Sequence, residues 1–158
     1  MEYRSGLGYD VHALAEGLPM WLCGLQVPSD RGFVAHSDGD VAIHALCDAL
    51  LGAAALGDIG HHFPDTDDTW KGVDSKLLLS KVVALLSGKG YAIANVDITI
   101  ALQAPKIGFL VPQMRETLAG VMGIDPDKVS VKATTTERLG FVGRGEGCEV
   151  WAIVMIYK

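Results

Sequence analysis

The chain has 158 residues, 49% of them apolar and 20% charged, which is globular composition and excludes intrinsic disorder. The length predicts a single domain over residues 1–158, large enough to fold without a disulfide or structural metal. Thirteen Lys and Arg against 19 Asp and Glu leave a net charge of -6, which excludes a general nucleic-acid binder. An anionic substrate must then be drawn by a metal, a local cation cluster or oriented backbone amides.

In chain order, the pattern predicts a first strand over residues 2–10, with Asp10-Val11-His12 at its end. Residues 20–28 read as a short strand or half a hairpin, closed by Pro28. A helix rich in Ala and Leu follows over residues 41–56, with Ser37 as N-cap and Asp40 three residues on. Residues 57–73 hold three glycines, Pro64 and four aspartates, and predict a long loop of the kind that often carries function. A second helix is expected over residues 74–87, with Gly88 and Gly90 as stop signals. Residues 96–102 alternate as a strand. A third helix should begin near Pro112 and end at Gly123. Residues 129–133 and 149–157 supply two more strands. These elements predict an α+β, two-layer fold with a mixed four- to five-stranded sheet and helices on one face.

The last strand is apolar on both faces: Val150, Ala152, Val154 and Ile156 on one, Trp151, Ile153, Met155 and Tyr157 on the other. Three helices cannot cover both sides of such a sheet, so the second face is expected to pack against another copy of the chain. Cys23, Cys47 and Cys148 are widely spaced, with no C-x-x-C. They read as small buried hydrophobes of a reducing, cytoplasmic compartment. The N-terminus has no signal-segment pattern, and no window reaches about 18 uninterrupted apolar residues, so no membrane partner is expected.

Three constellations can carry chemistry. Asp10 and His12 point the same way along a strand, and Asp40, His44 and Asp48 line one stripe of the first helix, with Ala42, Leu46, Ala49 and Ala53 opposite as its packing face. The stripe could be plain solvent exposure. Alternatively, Asp10, His12 and His44 give one carboxylate and two imidazoles, a set that suits catalytic Zn²⁺ or non-haem Fe(II). Next, Thr134-Thr135-Thr136 at a strand end offer hydroxyls and amides to a phosphate, and Glu137 beside them implies an intervening Mg²⁺; the segment reads equally as a threonine-rich strand end with a solvent-exposed Glu. Gly143-Arg144-Gly145-Glu146-Gly147 is either an anion-binding turn or a flexible connection. The third is Gln103-Ala104-Pro105-Lys106 after a strand, where Lys106 could reach a phosphate.

Taken together, Gly8–His12, Ala35–Val41, Gly57–Gly60, Phe63–Asp67, Gln103–Lys106, Lys132–Glu137 and Gly143–Gly147 resemble the motifs of the 2-C-methyl-D-erythritol 2,4-cyclodiphosphate synthases of the non-mevalonate isoprenoid pathway. The resemblance spans nearly the whole chain. It implies a homotrimer with active sites between subunits, and a phosphorus-oxygen lyase activity. The substrate would be 4-diphosphocytidyl-2-C-methyl-D-erythritol 2-phosphate, whose 2-phosphate attacks its own β-phosphorus and releases CMP.

Carried over residue by residue, the resemblance makes Asp10, His12 and His44 ligands of Zn²⁺ or another divalent cation. It makes Glu137 a ligand of Mg²⁺ or Mn²⁺ on the diphosphate. His36 and Thr135 match transition-state stabilisers. Ser37, the segment Asp58, Ile59 and Gly60, and the segment Phe63, Pro64, Asp65, Thr66 and Asp67 match erythritol and phosphate contacts, to which Asp10 and His12 also belong. Leu102, Gln103, Ala104, Pro105, Lys106, Ile107 and Gly108 match a cytidine-diphosphate pocket, completed by Thr134, Thr135, Thr136 and Glu137. Phe141 and Arg144 match further ligand contacts. Ile107-Gly108 departs from the bulkier pair common in the family, which leaves that pair's side-chain roles open. No protein nucleophile is required, because both reacting phosphates belong to one molecule; positioning and charge stabilisation suffice.

Two rival readings predict different behaviour. An Fe(II) oxygenase on Asp10, His12 and His44 would need oxygen and leaves the threonine segment unexplained. A non-catalytic oligomer holding a diphosphate through Arg144 would bind without turnover.

Overall fold

The computed structural model describes residues 1–158. Strands β1 (Tyr3–Glu16), β4 (Arg31–Phe33), β5 (Ala92–Ala101), β6 (Val129–Thr134) and β7 (Gly147–Tyr157) form one five-stranded sheet in the order β4-β1-β7-β5-β6. The sheet is mixed: β5 and β6 run parallel, and the other pairs run antiparallel. β2 (Met20–Leu22) and β3 (Leu25–Val27) make a complete, separate hairpin before Pro28, more than the short strand or half hairpin expected there. The helices are α1 (Val41–Ala53), α2 (Ile59–His62), α3 (Ser75–Gly88), α4 (Val111–Met122) and α5 (Gly140–Gly143). The α+β class and the mixed sheet agree with the sequence pattern.

Several boundaries differ from expectation, each for a local reason. β1 runs to Glu16 rather than residue 10, because it exchanges partners: β7 pairs with it through Ala13, and β4 takes over from Leu14. Asp10 and His12 therefore lie within a strand. The N-cap of α1 is Asp40, not Ser37; its carboxylate accepts the Ile43 amide and also the Cys23 and Gly24 amides at 3.0 and 2.7 Å. The same helix stops at Ala53 instead of residue 56, with Ala55 in the left-handed region at φ 56°. The 57–73 segment contains α2 and a 3₁₀ turn at Asp68–Trp70, so it is an ordered connection. α3 and α4 match expectation closely, with Asp74 capping the first and Gly123 at φ 68° ending the second.

The amphipathic pattern expected of α1 does not hold. Eleven of its 13 residues are buried, because the sheet lies on one side and α3 on the other. Asp40 is therefore a buried structural cap, and the Asp40–His44–Asp48 stripe is not a solvent face. The close seat of α1 comes from β1. A Cβ at Gly6 or Gly8 would run into the backbone carbonyl oxygens of Ala49 and Ala45. Two residues along a strand and four along a helix advance by similar lengths, ~6.6 and 6 Å. The next inward position on β1 is Asp10, and the helix delivers His44 above it.

The two faces of the sheet contrast sharply. Inward residues Ile98, Ile100, Val150, Ala152, Val154 and Ile156 are buried under the helices. Outward, Tyr3, Leu7, Tyr9, Trp151, Ile153 and Met155 are exposed, so the second apolar face of the last strand is uncovered in the single chain. The three cysteines are free and buried, as expected; burial raises the Cys148 thiol to about 12 and those of Cys23 and Cys47 well above their usual value. No helix is long and apolar enough to cross a membrane.

Candidate active site and metal centre

Asp10, His12 and His44 converge at the floor of a cavity of about 340 Å³. Asp10 Oδ2 lies 3.1 Å from His12 Nδ1 and 3.2 Å from His44 Nδ1. One ligand atom from each of the three falls within 4.8 Å of the others. Burial raises the Asp10 carboxyl, but hydrogen bonds and positive charge from His12 and His44 outweigh it and hold the group at about 2. Burial opposes the His44 imidazolium; Asp10, with Asp40 and Asp38 behind it, prevails and raises the pKa.

The donor set fits a divalent ion on three observations. It supplies one ionised oxygen and two imidazole nitrogens, the usual ligands of a catalytic zinc. His12 Nδ1 is buried without an aligned hydrogen-bond partner, despite its short distance to Asp10. A metal would give that orphaned atom a partner. Finally, both imidazoles turn the same nitrogen toward one carboxylate oxygen, which brings lone pairs together unless a proton or a cation lies between them.

The cavity wall gathers much of the expected substrate side. His36, Ser37, Ile59, Gly60, Phe63, Pro64 and Asp65 line it. Asp48 anchors the start of α2 by accepting the Ile59 amide at 2.8 Å. Asp58, Thr66 and Asp67 do not line it. Asp58 caps α2 on the His61 amide, and Asp67 caps the following 3₁₀ turn on the Thr69 amide, while its carbonyl oxygen lies 3.4 Å from His36 Nε2. Ala35, which opens the Ala35–Val41 motif, also lines the cavity, as do Trp70, Val73 and Leu78, which no sequence signal marks as site residues. Phe63 meets Trp70 edge to face at 5.0 Å, a contact between residues seven apart in a loop without periodicity.

The second group of expected residues assembles elsewhere, at the carboxyl ends of the parallel strands β5 and β6. Gln103, Ala104, Pro105 and Arg144 line a separate cavity with Leu14, Ser29, Asp30 and Arg31. Leu102 and Ile107 are buried in the core, so their side chains do not line this cavity, and only their backbone is available to a ligand. The three threonines are not equivalent. Thr134 and Thr136 donate their hydroxyl protons to the carbonyls of Thr135 and Leu139. Thr135 Oγ instead accepts the Glu137 amide at 3.2 Å, which leaves its own proton free. Glu137 and Arg138 sit consecutively at φ 54° and 64°, a conformation that costs non-glycine residues energy, and the Arg138 amide is held by Gln103 Oε1. Arg144 is not a bare anion donor: its guanidinium pairs with Glu146 at 2.7 Å. Lys106 lies on the exposed loop after β5, Phe141 lies in the short helix α5, and Gly108 opens a 3₁₀ turn.

Comparison with known proteins gives a consistent picture. The sequence profile of the YgbB family matches residues 3–157. A 2-C-methyl-D-erythritol 2,4-cyclodiphosphate synthase of Methylococcus capsulatus is 56% identical over 156 residues, 99% of each chain. A solved structure of the bifunctional IspDF of Campylobacter jejuni superposes with TM-score 0.95 at 42% identity; it covers 98% of this chain, which spans 42% of that longer protein. A solved 2C-methyl-D-erythritol-2,4-cyclodiphosphate synthase in a CDP-bound form superposes with TM-score 0.90 at 38% identity, covering 98% of this chain and all of the other.

Proposed function

The chain belongs to the YgbB family, and from that premise we propose how its two groups of residues divide the work of a cyclodiphosphate synthase. The activity is intramolecular phosphoryl transfer: 4-diphosphocytidyl-2-C-methyl-D-erythritol 2-phosphate closes to 2-C-methyl-D-erythritol 2,4-cyclodiphosphate and releases CMP, a step in isoprenoid precursor biosynthesis. In reaction class it is a phosphorus-oxygen lyase.

The assignment of the metal half rests on one observation above all, the convergence of Asp10 Oδ2, His12 Nδ1 and His44 Nδ1 beneath a cavity walled by His36 and Ser37. These three residues hold Zn²⁺ or another divalent cation. Such an ion supplies charge stabilisation to a phosphoryl oxygen when bound. His36 stabilises charge building on the transferred group. Ser37, Gly60 and the Phe63–Asp65 turn position the erythritol phosphate, and Asp65 takes its hydroxyls.

The nucleotide half is carried by the Gln103–Lys106 turn and the Thr134–Glu137 loop. Thr135, with its free proton, donates to the diphosphate. Glu137 would hold Mg²⁺ or Mn²⁺, whose charge would offset the repulsion expected from a chain of net charge -6. Backbone groups around Ile107-Gly108 hold the base.

The two halves line separate cavities of one chain, which supports an active site completed between subunits. The uncovered apolar face supplies the assembly surface: each large side chain buried there contributes about 1.5–3 kcal/mol, so pairing of β1 and β7 faces around a three-fold axis is strongly favoured. The homotrimer operates in the cytoplasm, without a membrane or nucleic-acid partner.

Incubation with the cytidine-diphospho substrate and Mg²⁺, followed by phosphorus NMR, tests this function directly. CMP and a cyclic diphosphate are expected, with no oxygen requirement. Binding without CMP release would favour the non-catalytic alternative. Light scattering tests the assembly: Ile153→Lys should dissociate it, and a single-chain mass for the wild type would reject it.

A further inference from the structure

Behind His44, on the side away from Asp10, lies a buried hydrogen-bonded chain. His44 Nε2 is 3.0 Å from Ser75 Oγ and 3.2 Å from Ser37 Oγ. Ser75 is fully buried at the first position of α3. Its hydroxyl donates to Asp38 Oδ1 at 2.5 Å, and its backbone amide donates to Asp38 Oδ2 at 2.8 Å. Asp38 is held in turn by the Asp40 amide at 3.0 Å.

Donor and acceptor roles along this chain follow atom by atom. An ionised carboxylate only accepts, so the Ser75 hydroxyl proton lies on the Asp38 side. Toward His44, Ser75 Oγ can then only accept. His44 Nε2 must therefore carry a proton, and the neutral ring has its lone pair on Nδ1, the nitrogen that faces Asp10. The same proton fixes Ser37. With Nε2 already a donor, Ser37 Oγ accepts from it and from the Gly39 amide at 3.2 Å, and its own proton is free to point into the cavity.

We propose that Asp38 and Ser75 are positioning residues that fix the tautomer of His44, so that one relay both directs the Nδ1 lone pair at the metal position and frees the Ser37 hydroxyl to donate to substrate. This rests on the assignment of Asp10, His12 and His44 as metal ligands. Groups behind a ligating histidine typically change metal affinity by about 10–100-fold when removed.

The test uses full-length protein with Zn²⁺ as the probe, competed against a chromophoric chelator. Ser75→Ala removes the hydroxyl but keeps the backbone amide on Asp38, so circular dichroism and the melting of the zinc-free protein should be unchanged. Its zinc affinity should fall about 10–100-fold. In zinc-loaded wild type the His44 Nε2 proton should be protected from exchange in the ¹H–¹⁵N spectrum, and in Ser75→Ala that protection should be lost. Asp38→Asn should weaken zinc in the same direction. The double variant should be no weaker than the worse single one, because both act through one relay. An affinity within a factor of about two of wild type for Ser75→Ala, or losses that multiply in the double variant, overturn the relay. Should Ser75→Ala not fold, Asp38→Asn carries the same affinity and exchange measurements: loss of both supports the relay, and retention of both overturns it. A wild type that retains no zinc overturns the ligand assignment itself, and the relay with it.

Discussion

The proposed metal half and the proposed nucleotide half of this chain are built on opposite principles. The first is set on β1 and α1, two regular elements pressed together by Gly6 and Gly8, and its side chains are tied behind by Ser75 and Asp38. The second hangs on exposed loops, where Glu137 and Arg138 hold left-handed backbone and Arg144 is engaged by its neighbour Glu146. Rigid elements fix a ligand geometry without help. Loops at the ends of β5 and β6 leave their geometry open to whatever packs over them. Perturbing the metal half should therefore cost more than perturbing the other.

His44→Ala should have the largest effect. It removes one of the three proposed ligands while the buried α1 packing around it stays apolar. Stoichiometric zinc should be lost, and turnover should fall by roughly 10²–10³, the scale of losing one principal charge stabiliser. Elemental analysis and CMP release measure the two together. Retention of full zinc would break the assignment.

Gly8→Ala attacks the same half through its frame. Alanine normally suits a strand better than glycine, by about 0.5–1 kcal/mol. Here the added Cβ meets the Ala45 carbonyl of α1, so the sign reverses. Urea unfolding should show destabilisation near the top of the ~1–3 kcal/mol range for overpacking. Zinc affinity should fall as well, because lifting α1 separates His44 from Asp10. A stability unchanged from wild type would show that the close seat of the helix is not what places the ligands.

Much of this is legible in the sequence, and the failures have specific causes. Helices α3 and α4 are readable because their caps are local: Asp74 begins one, and Pro112 and Gly123 bound the other. The Asp10–His12 pair follows from strand parity alone. Spacing offers His44 to them only as one of two readings of the α1 stripe, since nothing local says that α1 crosses β1 at Gly8. The sequence favours Ser37 over Asp40 as the cap of α1 because both side chains suit a cap, and only the Cys23 and Gly24 amides decide between them. Ser75 is invisible in sequence: it lies 31 residues from His44, and its surroundings describe only a helix start. The unequal roles of the three threonines depend on loop conformation, which a run of identical residues cannot encode.

Glu137→Gln probes the nucleotide half. It keeps the shape of the loop and removes the charge that holds a hard cation. A turnover loss of roughly tenfold to hundredfold is expected, smaller than for His44→Ala, with zinc unaffected. Raising Mg²⁺ or Mn²⁺ should restore much of the rate by mass action. A response flat across the titration would reject the metal role and leave general-base action, which phosphates already ionised near neutral pH hardly need.

The smallest effect, and the one that best separates the single chain from its assembly, belongs to Asp97 and Lys132 on the outward face beneath the nucleotide loop. Lys132 Nζ donates to Asp97 Oδ2 at 2.8 Å, and the two side chains are 56% and 40% exposed. That hydrogen bond, against a smaller opposing effect of burial, lowers the Asp97 carboxyl below its usual value. The lowered value means that the pair stabilises the fold above the ordinary carboxylate range, about 3.9, and that this contribution is lost as pH falls through the folded value. Exposed pairs couple by only about 0.2–1 kcal/mol, and salt weakens them. But Asp97 sits opposite Ile153, in the apolar face assigned to the trimer. A double-mutant cycle on Asp97→Asn and Lys132→Met, run by urea unfolding near neutral pH, should give that small value in an Ile153→Asn background, which opens the apolar face without placing a charge opposite Asp97. In the assembled wild-type background the coupling should be larger and less sensitive to salt, because neighbouring subunits exclude water from the pair. Equal coupling in both backgrounds would mean that the outward face stays wet in the assembly, and the contrast between a self-contained half and a subunit-completed half would lose its structural basis.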